Sequence, residues 1–246
     1  MRVEIESPTR VDLAGGTIDC WPLYNFIGPC WTINLSISVY TGVKLNLRDD
    51  KKITVLIKDL NYHKLFESLE DLYICFDEEL DLLKAHLKYW NPQKGLDIET
   101  YSQSPVGGGL GGSSSLTVSL LKAFAKIFNK TWTLEELVRV SHNLEAQLLH
   151  TPTGTQDYFP AAQKGLNLIS YSPEGFKSEV IPYDVQYFAQ RMLVVYSGRS
   201  HHSGINNWQV LKLAVEKDLK TLNALSEVAD IAKDLHHICL AADWEH

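Results

Sequence analysis

What this chain has little of narrows its possibilities first. Its 4 cysteines, Cys20, Cys30, Cys75 and Cys239, are scattered over 246 residues, without the Cys-x-x-Cys pairs of a metal site or the density of a disulfide framework. A reduced, cytoplasmic protein is the expectation. His201-His202 and His236-His237 are adjacent pairs, which diverge on most backbones and make poor zinc chelates. Basic residues are outnumbered, 23 Lys and Arg against 30 Asp and Glu for a net charge of −7, and no basic tract exists. That excludes the clustered cations a nucleic-acid partner demands. No apolar run approaches the roughly 18 residues of a membrane span, so no membrane partner is expected. Met1 to Ser7 alternates apolar and charged residues like a strand and lacks the apolar core of a signal peptide. Repeats and low-complexity segments are also missing.

What is present is a core-forming composition, 45% hydrophobic, sufficient for one large or two modest domains. Ile33, Leu35, Ile37 and Val39 alternate, Val43, Leu45 and Leu47 continue beyond Gly42, and Ile53 to Ile57 is another β-rich run, together implying an antiparallel sheet. Leu69 to Trp90 suits one or two helices, ended by Asn91-Pro92 and Gly95. Asp97 to Tyr101 reads as a strand. Thr133 and Glu136 form a capping box ahead of the apolar stripe Leu137, Val138, Ser141, Leu144 and Leu148. Leu166 to Tyr171 and Met192 to Tyr196 read as strands, and Trp208 to Leu225 and Val228 to Ala242 as helices.

Between the strand at Asp97 and that capped helix lies Pro105-Val-Gly-Gly-Gly-Leu-Gly-Gly-Ser-Ser-Ser115. Gly107, Gly108, Gly109, Gly111 and Gly112 allow positive φ and close backbone approach to a ligand. Leu116, Leu120, Leu121, Phe124, Ile127 and Phe128 then fit one face of a helix beginning near Ser113, whose N-terminus adds free N–H groups. Ser113, Ser114 and Ser115 are placed to cap that helix or to ligate a phosphate-bound Mg²⁺. Phosphate oxygens suit such a loop, whereas a flexible linker rarely runs straight into a patterned helix. No lysine follows the glycines, so the spacing is not that of a Walker A loop, and its context is not that of a dinucleotide fingerprint.

Pro105 to Ser115 resembles the second signature of the GHMP kinases (galactokinase, homoserine kinase, mevalonate kinase, phosphomevalonate kinase), with Gly112 in place of the first family serine. The resemblance implies an α+β fold: a ribosomal protein S5 domain 2-like N-terminal domain over residues 1–175, binding ATP, and a partial ferredoxin-like C-terminal domain over 176–246. That second domain is expected to be incomplete, because members commonly carry a third glycine-rich signature and no glycine follows Gly204. Pro105, the five glycines and Ser113 to Ser115 are then the nucleotide-binding segment.

Pro8-Thr-Arg-Val-Asp-Leu-Ala-Gly-Gly-Thr-Ile-Asp19 resembles the first signature of the same family. It puts Arg10 beside the acceptor and Thr17 and Asp19 among the substrate-binding residues. Taken alone, an Asp after Gly-Gly-Thr is a turn residue. Glu145 stands where an acid completes Mg²⁺ coordination with Ser113, its plain alternative being a solvated helix charge. Thr153-Gly-Thr-Gln-Asp157 resembles segments of heptose kinases and galactokinases, which makes Asp157 the base, Arg10 its catalytic partner and Gln156 a substrate contact. Arg199, in Tyr196-Ser-Gly-Arg-Ser200, is a further substrate-binding candidate and otherwise part of a solvent loop. The implied activity is transfer of a phosphoryl group from ATP, with Mg²⁺, to a hydroxyl of a sugar or sugar phosphate. A mevalonate- or homoserine-type kinase, and an ATP and sugar sensor without turnover, are the alternatives.

Overall fold

The computed structural model describes residues 1–200 and 203–244. Strands β1 (Arg2–Ala14) and β2 (Cys30–Leu47) pair antiparallel over most of their length, with irregularities between Pro8 and Thr9 and between Asp12 and Ala14. The two alternating runs on either side of Gly42 are one strand, because Gly42 leaves room for the Tyr101 ring of the neighbouring strand. The C-terminal part of β2 pairs with β5 (Leu96–Ser102) and its N-terminal part with β6 (Leu166–Ser172). Outside β5 lie β3 (Ile53–Ile57) and β4 (Tyr62–Phe66), and outside β6 lies β7 (Gly175–Ile181), completing a seven-stranded sheet.

The sheet is mixed rather than antiparallel throughout. β3 runs parallel to β5, since the chain crosses over between them through β4 and two helices, α2 (Leu69–Ile74) and α3 (Asp81–Trp90). Parallel neighbours require such a crossover.

The short helix α1 (Leu23–Ile27) follows the turn after β1, and α4 (Gly112–Ile127), α5 (Leu134–Leu149) and α6 (Tyr158–Gln163) cover the sheet. Leu120, Ala123 and Phe124 of α4 join Val43, Leu45, Val55, Leu87 and Ile98 in one apolar cluster. Val118 and Leu121, on the neighbouring face of α4, meet Val138 of α5 and Phe159 of α6 in a second. Deleting a large ring such as Phe124 from such a site typically costs about 3–5 kcal/mol. The capping box at α5 is formed as expected: Thr133 Oγ1 accepts from Glu136 N at 3.1 Å, and Thr133 N donates to Glu136 Oε2 at 2.8 Å.

Beyond β7 the described residues form α7 (Val185–Ala189), α8 (Ser203–Val215) and α9 (Leu219–Ala241). Ala232 and Cys239 of α9 pack against Ile33 and Leu35 of β2. Two expectations are corrected here. Met192 to Tyr196 is not a strand: Leu193 and Val195 are 87% and 75% exposed, and β-rich composition makes no strand without a neighbouring backbone to bond. The last helices divide at Lys217 rather than near residue 226, because Lys217 takes a left-handed conformation and Asp218 caps α9 by accepting from Thr221 N at 2.8 Å. The His201-His202 pair lies outside the described residues.

Candidate active site

The glycine segment leaves β5 and reaches the N-terminus of α4 as an open loop, with Gly107, Gly109 and Gly111 at φ of 67°, 76° and 68°. Only glycine takes such angles without strain. Ser115 N is bonded to Gly111 O at 2.9 Å, which leaves the helix amides ahead of it directed outward, where an anion is favoured. Above them opens a cleft of about 630 Å³.

Pro105, Gly107, Gly108, Gly109, Gly111, Gly112, Ser113 and Ser114 all line this cleft, together with Arg10, Glu145 and Asp157. Three segments distant in sequence are thereby brought together. Ser115 turns the other way: its hydroxyl reaches Ser7 O and Pro8 O at 3.0 Å and Thr41 Oγ1 at 2.8 Å. It fastens α4 to the sheet and does not border the cleft.

Arg10 is the hub. Its Nε donates to Asp157 Oδ1 at 2.8 Å, its Nη1 to Gly109 O at 2.7 Å, and its Nη2 lies 2.8 Å from Asp157 Oδ1 and 3.2 Å from Asp12 Oδ2. Its backbone N–H also donates to Leu110 O at 3.2 Å. One buried guanidinium therefore locks the glycine loop to the acid at the start of α6. Burial alone would lower its pKa, but Asp157 and Asp12 outweigh that and raise it, so the group stays charged.

Glu145 is 4% exposed, and its Oε2 accepts from Ser114 Oγ at 2.8 Å and Tyr158 Oη at 2.7 Å. Burial raises its pKa, and the hydroxyls of Ser113, Tyr158 and Ser114 oppose the rise. No group of three or more His, Cys, Asp or Glu that could hold a metal is present among the described residues. A lone carboxylate with serine hydroxyls still fits Mg²⁺, which keeps several waters and takes phosphate oxygens as ligands.

The first-signature residues are divided by the fold. Asp19 is 3% exposed, and its Oδ2 accepts from Thr155 N at 2.7 Å and Gln156 N at 3.0 Å. It holds the turn that presents Asp157. Burial pushes its carboxyl up to about 6, the two amides opposing and Asp157 adding to the shift. Neither Asp19 nor the exposed Thr17 borders the cleft. Gln156 is buried, its Nε2 3.4 Å from Asp12 Oδ2 and its Oε1 unpartnered. Arg199 is exposed in a segment without regular structure, and no described contact brings it to the cleft.

Sequence reasoning missed Asp12. Its side chain is 30% exposed, yet burial at the rim of the site pushes its carboxyl up to about 7, with Arg10 opposing and Asp157 and Asp19 adding. The signal was its place two residues after Arg10 on a strand, a spacing that puts both on one face. The far end of the cleft was not legible either: Ile57, Leu60, Leu82, Leu83, Val106 and Leu149 form an apolar wall contributed by four separate segments.

Residues 77–165, which hold the cradle, Glu145 and Asp157, match the model of the GHMP kinases N terminal domain. That stretch is similar to a GHMP kinase N-terminal domain. Over 244 residues it is 29% identical to D-glycero-alpha-D-manno-heptose 7-phosphate kinase of Campylobacter jejuni, covering 92% of this chain and 69% of that protein. It is 24% identical to the bifunctional fucokinase/GDP-fucose pyrophosphorylase of Arabidopsis thaliana, covering 94% of this chain and 24% of that enzyme. Among solved structures, a D-glycero-D-manno-heptose 1-phosphate kinase from Bacteroides thetaiotaomicron superposes with a TM-score of 0.67 at 22% identity, over 91% of this chain and 74% of that one. The mixed sheet with α4 to α6 upon it is thus the GHMP kinase fold, and the cradle lies inside the matched GHMP domain. No helix among the described residues is long and apolar enough to cross a membrane.

Proposed function

We propose that the chain is an ATP-dependent phosphotransferase acting on a hydroxyl of a sugar. The observation that carries this reading is the Arg10 hub, which joins a candidate base to a backbone anion cradle at hydrogen-bond distances of 2.7 and 2.8 Å. Phosphoryl transfer asks a protein mainly for positioning and charge stabilisation. The relatives that align over 92% and 94% of this chain are named heptose 7-phosphate kinase and fucokinase, whereas those named mevalonate kinase align over 45% to 59% of it, which favours a sugar over a mevalonate-type acceptor.

In this reading the nucleobase lies against the apolar wall and the phosphates lie over the amides at the start of α4. Arg10 is the only basic side chain among the residues described as lining the cleft, against Asp59, Glu79, Glu145 and Asp157. Such a lining cannot neutralise a polyphosphate by itself, so a divalent ion is required. Glu145, Ser113 and Ser114 are the residues that would hold Mg²⁺, which supplies charge neutralisation at the phosphates when bound. Asp157 uses Oδ1 for Arg10, leaving Oδ2 to accept the proton of the acceptor hydroxyl. The acceptor oxygen forms its bond to the γ-phosphorus as the bond to the β-phosphate oxygen breaks. Arg10 meanwhile steadies the carboxylate and the migrating charge.

The test is direct. Purified protein with Mg-ATP and a panel of aldohexoses, heptoses, their phosphates and mevalonate is followed for ADP release and for a phosphate ester by ³¹P NMR. Ester formation on a sugar supports the proposal. Exclusive use of mevalonate, or binding of ATP and sugar without any ester, counts against it.

A further inference from the structure

Around Arg10 a second group of polar side chains converges. Asp12 Oδ2 stands 3.2 Å from Arg10 Nη2 and 3.4 Å from Gln156 Nε2. A Cβ at Gly16 would meet nothing closer than Gln156 Nε2 at 3.7 Å and Asp12 Oδ2 at 3.9 Å, so the glycine leaves a gap the size of a methyl group beside both. Gln156 is 7% exposed, with an unpartnered Oε1, and a buried polar atom left unpaired is costly until something bonds to it.

The charge of this region is lopsided. Asp12, Asp19 and Asp157 surround the single guanidinium of Arg10, whose donors already serve Asp157, Gly109 O and Asp12. Among the described residues no other cation lies within ion-pair distance of Asp12 or Asp157. Arg139 sits beyond Asp19, stacked 5.0 Å over the Phe176 ring. Burial is the main reason the Asp12 and Asp19 carboxyls are pushed upward, but Asp157 adds to both shifts and Asp19 to that of Asp12, and a further anion would meet the same negative neighbours.

We propose that Asp12 is a specificity-determining residue of the acceptor site, which with Gln156 bonds the hydroxyls of an uncharged sugar and disfavours a phosphorylated one. The inference rests on the kinase reading above. Its chemistry is simple: a carboxylate accepts from sugar hydroxyls, an amide both donates and accepts, and a phosphate ester beside Asp12 and Asp157 meets repulsion.

The experiment is calorimetric binding of D-galactose, D-mannose and their 6-phosphates to the protein loaded with Mg²⁺ and a non-hydrolysable ATP analogue. Wild type, Asp12→Asn and Asp12→Glu are compared, each checked for folding by its melting temperature. In wild type each free sugar should bind at least about tenfold more tightly than its phosphate, a gap of about 1.4 kcal/mol. Asp12→Asn should narrow the gap severalfold, and Asp12→Glu should preserve it. Equal or tighter binding of the phosphates by wild type, or an unchanged gap in Asp12→Asn, overturns the inference and leaves the kinase reading standing. Failure of both free sugars and phosphates to bind, with the nucleotide bound normally, overturns both.

Discussion

The space where Gly111 would carry a side chain faces the carboxylate of Asp157: a Cβ there would come within 3.1 Å of its Oδ2. The cradle and the candidate base are therefore neighbours, and a side chain at Gly111 would press on the acid. Gly111 also holds a φ of 68°, which costs an L residue roughly 1–2 kcal/mol. Gly111→Ala should weaken Mg-ATP binding by at least about tenfold and lower turnover further, by displacing Asp157. Calorimetry and steady-state kinetics separate the two effects. Normal nucleotide affinity in this variant would remove the cradle from the argument.

Asp157 distinguishes an enzyme from a sensor. Asp157→Asn preserves the shape of the side chain and its contact with Arg10, and removes the proton acceptor. Both ligands should remain bound while turnover falls by roughly 10²–10⁴, the range for losing a general base. Arg10→Ala should slow transfer as well and also loosen the loop at Gly109, raising the KM for ATP. Near wild-type turnover in Asp157→Asn would leave Arg10 and the metal ion as the main catalytic elements.

How much of this was legible in the sequence depends on the range of the interaction. The capping box of Thr133 and Glu136 and the glycine cradle at 107–112 are written in adjacent residues and were readable. Local signals failed where tertiary context decides. Met192 to Tyr196 has strand composition and finds no partner strand. Ser115 sits in line with Ser113 and Ser114, but the helical rotation of about 100° per residue sends its hydroxyl to β1 and β2. The alternation of β1 gave Asp12 a face shared with Arg10. Nothing local revealed that Gln156 and Asp157 would close over it, because that contact spans 144 residues of chain.

In the proposed reading, the described lining of the cleft, with Arg10 as its one cation against four carboxylates, should make nucleotide binding depend on a divalent ion. Removing Mg²⁺ with EDTA should weaken ATP binding by at least about tenfold, because repulsion between phosphates and carboxylates is then unscreened. Glu145→Gln should raise the Mg²⁺ concentration needed for half-maximal activity by about tenfold or more. Tyr158→Phe should raise it less, since Ser114 still orients Glu145 Oε2. A titration of ADP release against free Mg²⁺ measures all three. An unchanged Mg²⁺ requirement in Glu145→Gln would move the metal elsewhere.

The burial of Asp12 and Asp19 also gives each of them a contribution to stability whose pH dependence has a definite sign. Asp12 rises from 3.8 to about 7, chiefly through burial, and Asp19 from 3.8 to about 6 for the same reason. A carboxyl whose pKa is higher in the folded state binds protons more readily folded than unfolded. Between the two values, stability from that group falls as pH rises and is recovered as pH drops. The contribution of Asp12 should thus grow as pH is lowered from about 7 to about 4, and level off below its unfolded value near 3.9. Other groups oppose it: burial lowers the pKa of His86 to about 3 and also depresses that of His236, so both resist protonation and cost stability in acid. The difference between wild type and Asp12→Asn isolates the contribution of Asp12. Urea unfolding at intervals across that range should show wild type gaining stability relative to Asp12→Asn toward acid. A difference that is flat, or that slopes the other way, would mean that Asp12 is charged in the folded protein throughout, held by Arg10 more strongly than burial disfavours it.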